Sequence, residues 1–152
     1  MKKITDLRVL FSATVLVVSF CFSGYSQSSQ EYFSKGNELL KNADYIGARR
    51  NYSGAIRLNH KYAEAYNFRG ISKLMVNGGI SLATWQEVNA AIKDFNKAIQ
   101  VNPNYADPYN NRGLAKRCSN DYWGAIQDYN MAPAEPIDPL RIFQWPFRPR
   151  WV

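Results

Sequence analysis

The chain has 152 residues, 46% hydrophobic and 20% charged, a composition that excludes global disorder and allows one domain. Its net charge of +7 comes from scattered Lys and Arg that form no run, so it describes a solvated surface and gives no reason to expect a nucleic-acid partner. Two cysteines and one histidine are too few for a structural zinc site, which needs about four ligands.

Residues 1–26 read as a secretory signal peptide. Lys2, Lys3 and Arg8 form a positive start, Val9 to Phe22 is a largely apolar run, and Gly24 and Ser26 place small residues at −3 and −1 of a cut before Gln27. The apolar run is shorter than the roughly 20 residues needed to span a bilayer, so no transmembrane span is expected in the mature chain. A lipid anchor on Cys21 is the weaker reading, because Phe20 precedes that cysteine where a small residue would be needed. Export to a periplasmic or extracellular space follows, with a mature net charge of about +5.

From Ser29 the apolar residues recur at helical spacing. Tyr32, Gly36, Leu39 and Leu40 predict a first helix over about 30–42, and Asn42-Ala43-Asp44 a turn. Tyr45, Ala48, Tyr52, Ala55 and Ile56 predict a second helix over about 45–58. Tyr66, Gly70 and Leu74 mark a third over about 63–76, broken by Asn77-Gly78-Gly79. Thr84 followed by Glu87 has the form of a capping box, which starts the fourth helix near Trp85; Asn102-Pro103 ends it. The fifth helix covers about 106–118 and the sixth starts near Tyr122. Pro133, Pro136, Pro139, Pro146 and Pro149 forbid a long helix beyond Ala132, since each removes an N–H donor.

These segments are copies of one another. Tyr109, Gly113, Asp121-Tyr122, Ala125, Tyr129 and Ala132 repeat Tyr32, Gly36, Asp44-Tyr45, Ala48, Tyr52 and Ala55, and a middle copy supplies Tyr66, Gly70, Ala91, Phe95 and Ala98. The interval is 34 residues between Gly36 and Gly70 and again between Ala91 and Ala125. A fixed period of that size means stacked supersecondary units. The middle copy is nine residues longer, and the excess falls between its two helices, over about Asn77 to Ala90. The capping box predicts a loop followed by a helix lengthened by about one turn, with Trp85 in its first turn, beyond the edge of the neighbouring stack, either packed on the first helix of its own hairpin or half-exposed as a partner contact.

The pattern resembles the tetratricopeptide (TPR) family. The resemblance implies an all-α fold, a short right-handed α-solenoid of about three TPR helix hairpins (29–62, 63–105 and 106–132), followed by an irregular tail over 133–152. It implies binding and not catalysis, with a protein or peptide partner held in a concave groove lined by the first helix of each hairpin. By period, the groove-facing candidates are Phe33, Asn37, Asn67, Ile71, Leu74, Asn110, Leu114 and Arg117. For Leu74 and Leu114, packing inside the stack is an equal alternative. One subclass of the family clamps a C-terminal carboxylate with basic and Asn side chains; Asn37 matches it, whereas Phe33 and Asp107 stand where the clamp resembles Lys.

Nothing in the chain assembles into a nucleophile–base pair. Cys118, late on a helix, reads as a small buried hydrophobe, and His60 lies in a turn. Gly78-Gly79 lacks the downstream Lys-Ser/Thr of a phosphate loop, so no cofactor is expected. In the tail, Ile142, Phe143, Trp145, Phe147 and Trp151 alternate with Arg141, Arg148 and Arg150, which suits an apolar strap over the third hairpin or a membrane-surface contact. An exported interaction module is the leading reading; an accessory or truncated repeat domain of a larger multi-repeat protein and a membrane-surface-associated scaffold are the alternatives.

Overall fold

The computed structural model describes residues 27–133. The expected leader (1–26) and all but the first residue of the expected tail lie outside the described residues. Within them the chain forms six α-helices and no strand: α1 (Ser29–Lys41), α2 (Tyr45–Leu58), α3 (Ala63–Met75), α4 (Trp85–Val101), α5 (Ala106–Cys118) and α6 (Tyr122–Met131). One turn of 3₁₀ helix, Ile80–Leu82, lies between α3 and α4. The fold is an all-α helical repeat. Helices pair as α1–α2, α3–α4 and α5–α6, the pairs stack through α2–α3 and α4–α5, and α3 also touches α5.

Local chemistry sets each boundary. Ser28 and Glu31 form a capping box at the start of α1, and Thr84 and Glu87 form the expected one at the start of α4. The aspartates of the two Asp-Tyr pairs are N-caps: Asp44 accepts from Gly47 N at 2.8 Å and Asp121 from Gly124 N at 2.9 Å. The turns between hairpins are also copies, with Asn59 accepting from Lys61 N and Asn102 from Asn104 N. Hence His60 and Pro103 stand in the same turn although one keeps its N–H and the other has none.

Small residues let the paired helices touch. A Cβ placed on Gly70 would lie 2.6 Å from the ring of Phe95, which is itself fully buried. Gly36 meets Tyr52 at 2.6 Å and Gly113 meets Tyr129 at 2.7 Å in the same way. The ring on the second helix thus packs directly against bare backbone on the first. Two apolar clusters then join one hairpin to the next. Ala55, Ile56, Ala65, Tyr66 and Ala98 link α2, α3 and α4. Leu74, Val88, Ala91, Phe95 and Ala115 link α3, α4 and α5.

The nine-residue excess of the middle hairpin is a short loop, the 3₁₀ turn and a longer second helix, 17 residues in α4 against 14 in α2. Ile80 and Ala83 pack on the Leu74–Ala115 cluster, and the 3₁₀ turn touches α5. The insertion therefore belongs partly to the core. Trp85 does not pack on its own hairpin: at the first residue of α4 it is 75% exposed, beyond even the half-exposed alternative. Cys118 also departs, being an exposed free thiol and not a buried hydrophobe, because α5 ends there and no later element covers it among the described residues.

Candidate functional site

The candidate surface is the side of the array formed by α1, α3 and α5, the first helices of the three hairpins. Residues four apart on a helix share a face, so Phe33 and Asn37 on α1, Asn67 and Ile71 on α3, and Asn110 and Leu114 on α5 pair by register, with Arg117 one turn further on. The structure separates this set by what covers each member.

Asn110 and Arg117 are exposed, and Phe33, Asn37, Ile71 and Leu114 are partly exposed. Phe33 belongs to an aromatic group, its ring 4.8 Å from Tyr62, 5.6 Å from Tyr52 and 5.8 Å from Phe68. Asn37 accepts a 2.8 Å hydrogen bond from the Tyr52 hydroxyl, which fixes its carbonyl end and leaves its amide hydrogens as the groups it can offer. Burial pushes the Tyr52 phenol well above the ordinary tyrosine value.

Asn67 is a correction to the sequence-based expectation, and for Leu74 the structure takes the stack-packing alternative. Asn67 is 1% exposed; it donates to the Tyr105 hydroxyl at 3.0 Å and accepts from Asn111 Nδ2 at 2.9 Å. Its amide ties α3 to α5 and is not open to a ligand. Leu74 is 3% exposed inside the cluster with Val88 and Phe95. Both lie on the expected face, but α5 and α4 cover that face where the hairpins stack. Periodicity assigns a residue to a side of a helix; whether that side meets water depends on the neighbouring hairpin.

A second set of polar residues went unnoticed in the sequence. Asp94 on α4 receives Arg69 Nη2 at 2.7 Å and Lys73 Nζ at 2.8 Å from α3. Asp128 on α6 receives Arg112 and Lys116 from α5 in the same arrangement. Both aspartates are buried, at 4% and 1% exposure. Each arginine continues to the preceding hairpin, Arg69 Nη1 to Ser53 and Arg112 Nη1 to Asn96, and each lies over a ring of its own helix, Tyr66 or Tyr109. The signal was present as Arg-Gly-x-x-Lys at 69–73 and 112–116, each followed by an Asp three residues after the helix-crossing Ala. Among the described residues no group of His, Cys, Asp or Glu could hold a metal ion.

This architecture of stacked helix hairpins with a partly exposed first-helix face is that of a helical-repeat array. A family model described as TPR repeat matches residues 86–116. No curated relative matches the chain. Among solved structures, the first TPR of Spaghetti (RPAP3) bound to the HSP90 peptide SRMEEVD superposes with a TM-score of 0.62 at 21% identity, covering 70% of this chain and 78% of that one. The TPR2B domain of yeast Sti1, in complex with pHsp70, gives 0.61 at 23% identity over 68% and 76%. The Arabidopsis OM64 TPR domain gives 0.61 at 26% identity over 69% and 79%. The chain therefore shares the all-α helical-repeat fold of these TPR domains, and the repeat model falls on its central α4–α5 segment. No helix among the described residues is long and apolar enough to cross a membrane.

Proposed function

We propose that the chain is an exported interaction module that holds an extended peptide, or one face of a partner helix, along α1, α3 and α5. The observation that carries this reading is the graded exposure of that surface. Phe33, Ile71 and Leu114 offer partly open apolar contacts, while Asn110 and Arg117 project polar groups on the same side of α5. A few apolar pockets with sparse, fixed hydrogen-bond donors are what peptide recognition requires. The similar domains of Spaghetti and yeast Sti1, solved with HSP90 and Hsp70 ligands, support a peptide as the ligand class. Phe33 and Asp107 replace cations that a carboxylate clamp would need, so an internal segment with apolar side chains suits this groove better than an acidic C-terminus. Export rests on the leader at 1–26, with its charged start, short apolar run and small residues before Gln27.

Selection from a displayed library of random peptides, using the chain without residues 1–26, tests the reading. Selected peptides should lose roughly tenfold in affinity or more on Asn110→Arg or Arg117→Glu, a loss of about 1.4 kcal/mol. Trp123→Ser on α6 should leave their binding unchanged. Peptides that ignore both groove variants would overturn the assignment.

A further inference from the structure

A cavity of about 370 Å³ opens between α2 and α3, lined by Arg49, Arg50, Ser53, Arg69 and Lys73. It is separate from the proposed peptide face. At about 100° per residue, Arg69 and Lys73 lie on the side of α3 opposite Asn67 and Ile71. Four of its five lining side chains are cationic.

Part of this charge is explained by the fold. Arg69 and Lys73 share Asp94, and Arg69 also donates to Ser53. The next junction, between α4 and α5, is an internal control, because Arg112, Lys116, Asp128 and Asn96 repeat that network one hairpin later. The residues matching Arg49 and Arg50 there are Ile92 and Lys93. Arg49 and Arg50 are therefore no requirement of the stacking network. Neither forms an ion pair among the described residues, and Arg49 acts on the Glu87 carboxylate only through its charge. Glu87 is committed elsewhere, bonded to the Thr84 N–H, the Thr84 hydroxyl and Asn77. Two guanidinium groups with no matching structural role thus stand beside a third guanidinium and an ammonium, facing one cavity.

We propose that this cavity binds an oxyanion carried by a polypeptide partner, a phosphorylated or carboxylate side chain, with Arg49 and Arg50 as the principal contacts. Guanidinium groups recognise phosphate and carboxylate through paired N–H donors. Arg69, held by Asp94 and Ser53, adds a fixed positive charge behind them. The lining contains no aromatic ring on which a base could stack, which separates this site from single-strand nucleic-acid grooves. An anionic anchor on this side and a peptide face on the other would let one partner wrap the array or two partners share it.

The test uses the chain from residue 27, with the guanidinium Nε–H signals of its arginines followed by NMR during titration. The probes are inorganic phosphate, a serine peptide in phosphorylated and unphosphorylated forms, a matched peptide carrying Glu, and vesicles containing phosphatidylserine. Phosphate and the phosphorylated or Glu peptide should shift the Arg49 and Arg50 signals, with the unphosphorylated serine peptide silent. Arg49→Ala and Arg50→Ala should each weaken peptide binding by roughly tenfold, the effect of removing one hydrogen bond to a charged group. Lys93→Ala and Arg117→Glu should leave it unchanged, and the melting temperature of each Arg variant should stay at the wild-type value. The proposal fails if phosphate moves neither signal, if the double variant Arg49→Ala/Arg50→Ala binds as well as wild type, or if only vesicles bind. Loss of the groove's peptides on Arg117→Glu with anion binding intact would leave the two sites independent, as proposed.

Discussion

The first hairpin and the two that follow close the same helix crossing with different chemistry. In hairpins two and three, an arginine and a lysine from the first helix converge on one buried aspartate of the second. The matching positions of the first hairpin are Lys35, Leu39 and Asn51. Lys35 is exposed, Leu39 packs on the Leu40–Ala48–Tyr52 cluster, and Asn51 donates to Gly47 O within its own helix. Aromatic contact takes the place of the ion pairs there, through Phe33, Tyr52, Tyr62 and Phe68. The difference follows from position. Arg69 and Arg112 each reach back to the preceding hairpin, and among the described residues the first hairpin has none behind it. The charge triad is thus a link between repeats as much as a clasp within one.

If that is so, the largest effect comes from removing a triad's carboxylate. Asp94→Ala would leave two cations unpaired near the protein interior, and breaking one side of such a buried pair costs about 3–5 kcal/mol. Asp128→Ala should cost as much at its own crossing but lie near the end of the described array, where fewer later contacts depend on it. Asn51→Ala, at the matching position of the first hairpin, should cost well under either. Thermal melts followed by circular dichroism would rank the three. Equal losses for Asp94→Ala and Asn51→Ala would show that the triads add nothing beyond the aromatic solution.

The middle-sized effect concerns the aromatic side of the comparison. Tyr52→Phe removes the hydrogen bond to Asn37 and should cost about 1 kcal/mol at neutral pH. Its pH dependence has a definite sign. Burial raises the Tyr52 phenol above its ordinary value of 10.0, and Tyr105 is raised chiefly by burial and further by the negative charge of Asp107. A group whose folded value is raised contributes stability below its unfolded value and loses it as pH climbs past that point. The native chain should therefore weaken above about pH 10, and Tyr52→Phe, which retains the shares of Tyr105 and Tyr62, should weaken less. Urea unfolding at neutral and alkaline pH would show the gap between the two proteins narrowing. A constant gap would mean that Tyr52 ionises as freely folded as unfolded, and a widening one that folding favours its phenolate; either would overturn the effect of burial.

The features legible in the sequence and those hidden from it divide along a physical line. Helix limits follow from short-range chemistry, such as the Asp44 and Asp121 caps, the Thr84–Glu87 box and the Asn102-Pro103 stop, so they could be placed within a residue or two. The excess in the middle hairpin was legible as a broken interval between Gly70 and Ala91. Burial across hairpins was not. Asn67 meets Asn111 over a separation of 44 residues, and Asp94 meets Arg69 over 25. A charged or amide residue on a helix face reads as solvated until its partner is placed, and these partners sit on different helices. The Arg49–Arg50 pair was hidden for the same reason, since its neighbours Arg69 and Lys73 come from the next hairpin.

The smallest effect lies in the turns, where hairpins one and three can again be compared. Ala43 has φ 59° and Asn120 has φ 64°, the two matching residues before the capping aspartates and the two non-Gly residues with positive φ among those described. Left-handed backbone costs an L-residue about 1–2 kcal/mol because Cβ crowds the following carbonyl. Asn tolerates that region better than most, and Asn120 also accepts from the Tyr122 hydroxyl at 3.0 Å, while Ala43 has no side-chain group with which to compensate. Glycine removes the crowding but gives the unfolded chain more freedom, which takes back about 0.4–1 kcal/mol. The difference leaves Ala43→Gly stabilising by about 0.5–1 kcal/mol and Asn120→Gly near neutral or slightly destabilising. Neither touches the groove or the basic cavity, so chemical denaturation reads the turn alone. Were Asn120→Gly to stabilise more than Ala43→Gly, backbone strain would not be what distinguishes the two turns.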